Sequence, residues 1–310
     1  MHVYHSPDEV PDPEGMNVAL TMGFFDGVHI GHRKILEKLG RYYDPGVQIT
    51  GLVTMDPHPA SVLDPENAPK LITTLKEKID IFSSFNLSYV LILPFSGDVS
   101  QMPAKQFLQE VLVEKLKVKK MIVGYDTRFG RNRDGDVRLL EKEGARIGFG
   151  VETVQAVKLG SSGPVSSTAI RNALMNGKPE EAASMLGSNY IIRGSVVKGF
   201  GLGSRLGIPT ANVEIDPEKL VPGHGVYAAY CRIGNRKLKS AVNIGLRPTI
   251  PQKSPKPVIE AHLLDFKDDV YGKDIEVEFV NFIRPERKYS DAKALVGQMR
   301  KDIELAENKL

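Results

Sequence analysis

Two different periodicities divide the chain. Over residues 1–187, short apolar runs of strand character alternate with stretches whose apolar residues recur at helical spacing. Strands are predicted over 18–22, 48–55, 89–93, 120–123 and 148–154, and helices over 75–85, 103–116 and 137–143. Repeated strand–helix alternation predicts an α/β domain with a mostly parallel sheet covered on both faces. Ligands in such sheets bind beyond the carboxyl ends of the strands.

From residue 188 onwards the pattern is that of closely spaced strands. Strands are predicted over 190–197, 226–233, 238–244, 258–264 and 275–283. Residues 291–308 are predicted to form a helix, and its apolar face consists of Ala294, Leu295, Met299, Ile303 and Ala306. This set predicts a second domain over 188–310, a small antiparallel barrel with a helix packed outside it.

Composition agrees with two domains and narrows the function classes. A chain of 310 residues exceeds a comfortable single core. The net charge of +3, with 38 acidic residues present, is too small to argue for a nucleic-acid partner. The single cysteine, Cys231, excludes an intramolecular disulfide and a thiolate-rich metal cage. Since no apolar run approaches membrane length, we expect a soluble cytoplasmic protein that does not bind membranes.

The first predicted strand leads through a glycine-bearing loop into a helix. Gly23 ends the strand, and Gly31 and His32 open the helical stretch. Free backbone N–H groups and the positive end of the helix dipole make such a loop suitable for an anion. His29 and His32, three positions apart on one turn, can face one polyphosphate together, either by donating hydrogen bonds or by carrying positive charge. Spacing alone leaves nucleotide binding and plain α/β architecture equally open.

Two further groups of polar residues follow later strands. The turn Asp56-Pro57-His58-Pro59 holds His58 outward, although a merely stiff loop explains it equally well or better. The segment 124–136 contains Asp126, Arg128 and two more arginines among several glycines. Arginine can bind phosphate in a bidentate way, so this segment could recognise a ribityl chain and its phosphate. The alternative is a solvated basic loop.

Hydroxyl residues precede another predicted helix, at Val165-Ser166-Ser167-Thr168-Ala169-Ile170-Arg171. Helix capping alone explains the serines. It does not explain Arg171, because the helix dipole disfavours a cation near a helix start unless an anion is bound. We therefore prefer phosphate binding by Ser167, Thr168 and Arg171.

In the second domain the informative stretch is 198–212. Its glycines do not form GxGxxG, so an ordinary loop is an open alternative. Thr210 and Asn212, two residues apart on a strand, project to one side and can share a magnesium ion with ATP phosphates. Glu260, an acid among apolar neighbours, suits a general base for a primary alcohol, although edge-strand glutamates are usually solvated.

The N-terminal motifs resemble the adenylyltransferase module of the bacterial bifunctional riboflavin kinase/FAD synthetases. GFFDGVHIGH at 23–32 fills every fixed position of the GxFDGxHxGH nucleotidyltransferase signature, and TMDPHP, VGYDTRFGRNRDGD and SSTAIR follow in family order. The resemblance implies a Rossmann-like domain with His29, His32 and Arg171 as catalytic residues. It implies flavin contacts at His58, Asp126 and Arg128. The implied nucleotide-binding residues are Gly23, Phe24, Phe25, Asp26, Gly31, Ser167 and Thr168.

The C-terminal motifs resemble riboflavin kinase over essentially the whole domain: GFGLGSRLGIPTANV at 199–213, GVYA at 225–228, NIGLRPT at 243–249 and EAHLLDF at 260–266. The resemblance implies a six-stranded antiparallel barrel in which Thr210 and Asn212 hold Mg²⁺ and Glu260 is catalytic. A flavin contact is implied at Gly207. The implied nucleotide-binding residues are Lys198, Gly199, Gly201 and Gly203.

These resemblances imply a two-step flavin enzyme. The C-terminal domain would phosphorylate riboflavin with ATP to give FMN, and the N-terminal domain would adenylylate FMN with a second ATP to give FAD and pyrophosphate. The expected partners are riboflavin, FMN and ATP, in a monomer or weak homo-oligomer. Two alternatives are a cytidylyltransferase-like activator of another phosphate ester and a flavin-binding regulator in which only one module is active.

Overall fold

The computed structural model describes residues 1–160, 163–199, 201–246 and 257–310, apart from the side chains of Leu202 and Ser204. The chain divides into two compact units, Met1–Val165 and Ser166–Leu310. The sequence placed the domain boundary after residue 187. Helices α7 (Ser167–Met175) and α8 (Pro179–Leu186) group with the second unit because they pack together and α8 packs on its strands. The boundary between the functional domains stays a prediction.

The first unit is built on a six-stranded sheet whose strands are all parallel. Its strands lie in the order β1-β4-β3-β2-β5-β8. They are β1 (His2–Tyr4), β2 (Asn17–Met22), β3 (Gln48–Asp56), β4 (Tyr89–Pro94), β5 (Val118–Gly124) and β8 (Gly150–Val154), while β6 (Arg128–Phe129) and β7 (Gly135–Asp136) form a separate ribbon. The predicted Rossmann-like parallel sheet is confirmed.

Helices cover both faces of this sheet. They are α1 (Ile30–Gly40), α2 (Pro59–Leu63), α3 (Leu75–Phe82), α4 (Gly97–Gln101), α5 (Ala104–Gln106, continuing as the π-helical segment Phe107–Lys115) and α6 (Val137–Ile147). Alternate residues of β2 enter different cores: Val18 and Leu20 face the π-helical segment and α6, and Ala19 faces α1 and α3. The strand is therefore buried on both sides, as its continuous apolar run requires.

The order of the strands fixes where a ligand can enter. The chain runs outward from β2 through β3 to β4 and then returns to place β5 on the other side of β2. Such a reversal opens a crevice at the carboxyl ends of the strands on either side. The loops that follow β2, β3 and β5 carry the histidine pair, His58 and Asp126 respectively.

The second unit is a closed antiparallel barrel of six strands in the order β10-β13-β12-β11-β14-β9. The strands are β9 (Tyr190–Val197), β10 (Ala211–Ile215), β11 (Gly225–Ile233), β12 (Arg236–Leu246), β13 (Pro257–Leu263) and β14 (Asp274–Arg284). A short helix, α9 (Leu202–Arg205), precedes β10. The predicted six-stranded barrel is confirmed.

The last helix, α10 (Ala292–Lys309), packs on the outside of the barrel. Of its predicted apolar face, Leu295, Met299 and Ile303 are half-buried and Ala306 is buried, but Ala294 is exposed. The face also carries a buried acid that the apolar pattern did not indicate, Asp302. No described helix is both long enough and apolar enough to cross a membrane.

The junction of β9 and β10 gives a test of barrel closure. A Cβ atom at Gly194 would lie 2.1 Å from the carbonyl oxygen of Glu214, so Gly194→Ala forces two paired backbones apart. We expect it to lower the free energy of unfolding by about 2 kcal/mol, measured by urea denaturation. Gly297→Ala on α10 meets open space and should raise stability by about 0.5–1 kcal/mol. Equal effects of the two variants would contradict this account.

Candidate functional site

The two histidines of the loop after β2 lie together. His29 is the N-cap of α1, and its Nδ1 accepts a hydrogen bond of 3.3 Å from the backbone N–H of His32. The two imidazole rings are stacked, with centroids 3.6 Å apart. Because Nδ1 of His29 is an acceptor, its proton is on Nε2, which remains able to donate to a ligand. A Cβ atom at Gly31 would lie 3.0 Å from the His29 ring, so the glycine makes room for the imidazole.

Both imidazoles are neutral near pH 7. Burial lowers the pKa of His29 to about 4, although Asp126 and Asp26 act in the opposite direction. Burial lowers the pKa of His32 well below its usual range, and the positive charges of protonated His29 and of Lys78 act in the same direction. Of the two roles that the sequence left open, hydrogen-bond donation fits this environment and positive charge does not.

The carboxylate of Asp26 fastens this loop to the segment before α3. It accepts hydrogen bonds from the backbone N–H groups of Ile72 (3.1 Å) and Thr73 (3.0 Å) and from the Thr73 hydroxyl. That hydroxyl also accepts from the N–H of Gly27. Asp26 is only 3 % exposed, so its side chain supports the loop from within. Nucleotide contact by Asp26 stays a prediction.

The two phenylalanines of the loop differ in their surroundings. Phe25 is buried against Phe82 of α3 and meets the ring of His32 edge-on. Phe24 is half-buried, and its ring meets His58 edge-on with centroids 4.2 Å apart. Gly23 leaves room for the Phe25 ring, because a Cβ atom there would lie 3.2 Å from it. Nucleotide contacts by these three residues stay predictions.

The structure brings His58 and Asp126 to the same edge of the sheet as the histidine pair. His58 is the N-cap of α2, since its Nδ1 accepts from the N–H of Ala60, and its ring rests on Phe24 of the loop. Asp126 is exposed, and its charge acts on His29. Arg128 lies on β6 and forms an ion pair of 3.4 Å with Asp136. Their flavin contacts stay predictions.

The segment Ser166–Arg171 begins the second compact unit. The hydroxyl of Ser166 caps α7 by accepting from the N–H of Ala169 at 3.2 Å, as the sequence predicted for this serine cluster. Ser167 and Arg171 are half-buried and Thr168 is exposed. Phosphate binding by Ser167, Thr168 and Arg171 stays a prediction.

A cavity of about 1030 Å³ lies in the second unit, between the barrel and α10. It is lined by most of the residues that the sequence assigned to phosphoryl transfer: Gly199, Gly201, Gly203, Thr210, Asn212 and Glu260. Lys198 and Gly207 are not among the described lining residues, and both are exposed. Phe200 and residues 247–249 of the NIGLRPT motif lie outside the described part of the chain.

The barrel register explains how these residues meet. Asn212 on β10 lies directly opposite Glu260 on β13, and Glu260 lies opposite Asn243 on β12. Side chains opposite each other in an antiparallel ladder share a face at about 4.5–5.5 Å between Cβ atoms. All three line the cavity. A row of one carboxylate and two amides therefore crosses its wall.

Small residues keep this wall accessible. A Cβ atom at Gly199 would lie 2.2 Å from the Asn212 amide nitrogen, and one at Gly203 would lie 3.1 Å from the Thr210 hydroxyl. Hydroxyl, amide and carboxylate oxygens are the donors that a hard divalent cation prefers. The described residues contain no group of three or more His, Cys, Asp and Glu arranged to hold a metal. A cation here would also depend on substrate oxygens.

Three cavity-lining residues had no assigned role from the sequence. His262 follows Glu260 by two positions on β13, and its Nδ1 hydrogen-bonds to the Pro209 carbonyl at 2.7 Å, beside Thr210. Arg284 of β14 forms a two-pronged ion pair with Asp302 of α10, at 2.8 and 2.6 Å. The period-two spacing of Glu260 and His262 could have indicated His262. No local pattern links Arg284 to Asp302.

Known protein families match both parts of the chain. The FAD synthetase family model matches residues 12–169, and the riboflavin kinase family model matches residues 186–310. The chain is 37% identical to the bifunctional riboflavin kinase/FMN adenylyltransferase of Escherichia coli K12, over 91% of this chain and 90% of that protein. It is 32% identical to the protein of the same name from Bacillus subtilis, over 97% of this chain and 95% of that protein.

A solved structure has the same fold. A crystal structure of a macrolide-efflux protein from Streptococcus pneumoniae superposes with a TM-score of 0.88 and covers 99% of this chain and 98% of its own. The two sequences are 24% identical, so this likeness concerns the fold alone.

The histidine pair gives a pH prediction. The pKa of His29 is about 4 in the folded chain and about 6.5 when unfolded, so the unfolded state binds the proton more readily between these values. Stability should therefore fall as the pH decreases from 6.5 towards 4. His29→Asn, which can still cap α1, should show a smaller fall in urea unfolding. An NMR titration midpoint for His29 near 6.5 would contradict the assignment.

Proposed function

Because the chain belongs to the bifunctional riboflavin kinase/FMN adenylyltransferases, with both family modules present, we propose how its residues divide the two reactions. The enzyme phosphorylates riboflavin to FMN and adenylylates FMN to FAD. The observation that carries the residue assignment is a barrel cavity lined by Thr210, Asn212 and Glu260 together.

We assign riboflavin phosphorylation to this cavity. The half-buried carboxylate of Glu260 accepts the proton of the riboflavin 5′-hydroxyl as that oxygen attacks the γ-phosphorus of ATP. The new O–P bond forms as the bond from the γ-phosphorus to the leaving oxygen of ADP breaks. Glycines 199, 201 and 203 leave the phosphates room beside the wall.

Thr210 and Asn212 are the proposed magnesium ligands. Both residues line the cavity together with Glu260, and Asn212 lies opposite Glu260 in the barrel. Hydroxyl and amide oxygens suit Mg²⁺. When bound, Mg²⁺ supplies charge neutralisation on the ATP phosphates. Asn212 is buried, and the hydrogen bond from His262 to the Pro209 carbonyl holds the turn just before Thr210.

FMN adenylylation is assigned to the loop after β2. A phosphate oxygen of FMN attacks the α-phosphorus of ATP, and the bond to pyrophosphate breaks. Neutral His29 and His32 donate hydrogen bonds to the phosphate oxygens, and the α1 N-terminus adds its positive dipole end. His58, Asp126 and Arg128 contact FMN in this proposal. The motif at the start of α7 separately suggests phosphate binding by Ser167, Thr168 and Arg171.

We propose that both reactions take place in the cytoplasm. ATP is the co-substrate of both modules, and we place the enzyme in the cytoplasm, where the single buried thiol of Cys231 would stay reduced.

Glu260→Gln tests the division of labour. Removing the base should lower the rate of FMN formation from riboflavin by about 10²- to 10⁴-fold and leave FAD formation from supplied FMN unchanged. Glu214→Gln, an exposed acid on neighbouring β10, is the control and should affect neither rate. The measurement is chromatography of flavins with each starting substrate. Loss of both activities in the folded Glu260 variant would refute the assignment.

Thr210→Val tests the metal assignment. The variant keeps the shape of the side chain but loses the ligand oxygen, so the Mg²⁺ concentration for half-maximal riboflavin phosphorylation should rise about tenfold or more. The Mg²⁺ dependence of adenylylation in the same chain is the internal control and should not move. An unchanged Mg²⁺ dependence of the kinase reaction removes Thr210 from the metal site.

A further inference from the structure

The loop that carries His29 and His32 has a strained backbone. Phe25 has φ of 56° and Val28 has φ of 38°, both in the left-handed region that favours glycine. Conformations of this kind persist only where surrounding contacts impose them. Asp26 supplies one such contact through the backbone of Ile72 and Thr73.

A buried lysine supplies another. Lys78 of α3 is 1 % exposed, and its ammonium donates a hydrogen bond of 3.1 Å to the carbonyl of Phe24. The Thr54 hydroxyl donates to the same carbonyl at 3.3 Å. These two bonds fix the peptide plane immediately before the strained residue Phe25.

The same ammonium also holds the Phe24 side chain. It lies 3.7 Å from the centroid of the Phe24 ring, a favourable position for a cation over an aromatic face. The ring in turn meets His58 edge-on. One residue of α3 thereby supports both the backbone of the histidine loop and the aromatic contact that orients His58.

We propose that Lys78 is a positioning residue for FMN adenylylation, which fixes the Phe24 segment in the conformation that presents His29, His32 and His58 to the substrates. The proposal rests on the assignment of adenylylation to this loop. Lys78 acts through Phe24 and touches no reacting atom in this account.

The charged groups around Lys78 make its role measurable through changes of ionisation. Asp26 from the loop and Asp56 from the end of β3 act on the ammonium, and the ammonium acts on His32 from α3. Burial is the largest influence and lowers the pKa of Lys78 to about 8. Loss of the proton removes the attraction to the Phe24 ring and the positive charge beside His32.

The decisive variant is Lys78→Met, with Lys76→Met, an exposed lysine on the same helix, as the matched control. Misplacing the loop should lower kcat/KM for adenylylation of FMN by about tenfold to hundredfold. Riboflavin phosphorylation, which is assigned to the other unit, should be unchanged, and urea denaturation of the variant reports whether the first unit is folded. In an NMR titration the midpoint of His32 should move upward in Lys78→Met and stay in place in Lys76→Met.

The unmodified enzyme offers a second measurement that does not require the variant to fold. The kcat/KM for adenylylation should decline above about pH 8, because this parameter reports ionisations of the free enzyme. Riboflavin phosphorylation should lack this decline. An alkaline profile without it, or parental adenylylation by Lys78→Met, overturns the proposal.

His32→Ala separates this proposal from the assignment on which it rests. If His32→Ala abolishes adenylylation and Lys78→Met does not impair it, the loop is the adenylylation site and Lys78 has no positioning role. If neither variant is impaired, the assignment of adenylylation to the loop fails as well.

Discussion

The first unit depends on one buried carboxylate. Asp26 has almost no contact with solvent, and it satisfies two backbone N–H groups and a hydroxyl of a segment 46 and 47 residues further along the chain. Burying a charge without such partners is strongly unfavourable, so the loop and the start of α3 must form together. The stacked imidazoles, the left-handed Phe25 and the cap of α1 all follow from the position in which this carboxylate holds the loop.

In the second unit, closure of the barrel positions the side chains of the cavity. Every barrel strand is paired on both sides, so the register of one ladder determines the next. This register sets Asn212, Glu260 and Asn243 side by side, although they are far apart in sequence. A slip of one residue would turn each of them to the opposite face of the sheet.

Periodicity indicated the parallel sheet, the barrel and the last helix, because burial of apolar faces leaves a direct trace in the sequence. Periodicity did not predict the polar groups that are buried by contacts between distant parts of the chain. Asp302 is buried by its ion pair with Arg284, and Lys78 is buried by the carbonyl and ring of Phe24. These partners come together only in the folded chain. The motifs located the candidate residues, but neutral histidines became apparent only from their burial.

The wall formed by α10 differs in kind from the wall that carries Glu260. Leu295, Met299 and Ile303 line the cavity from a helix outside the barrel, where no ladder of backbone hydrogen bonds constrains them. Arg284 and Asp302 tie this helix to the barrel. Substitutions on α10 can therefore reshape the cavity while the opposite wall keeps its geometry. In evolutionary terms, the fold separates a surface whose side chains can be exchanged from a surface whose geometry the barrel fixes.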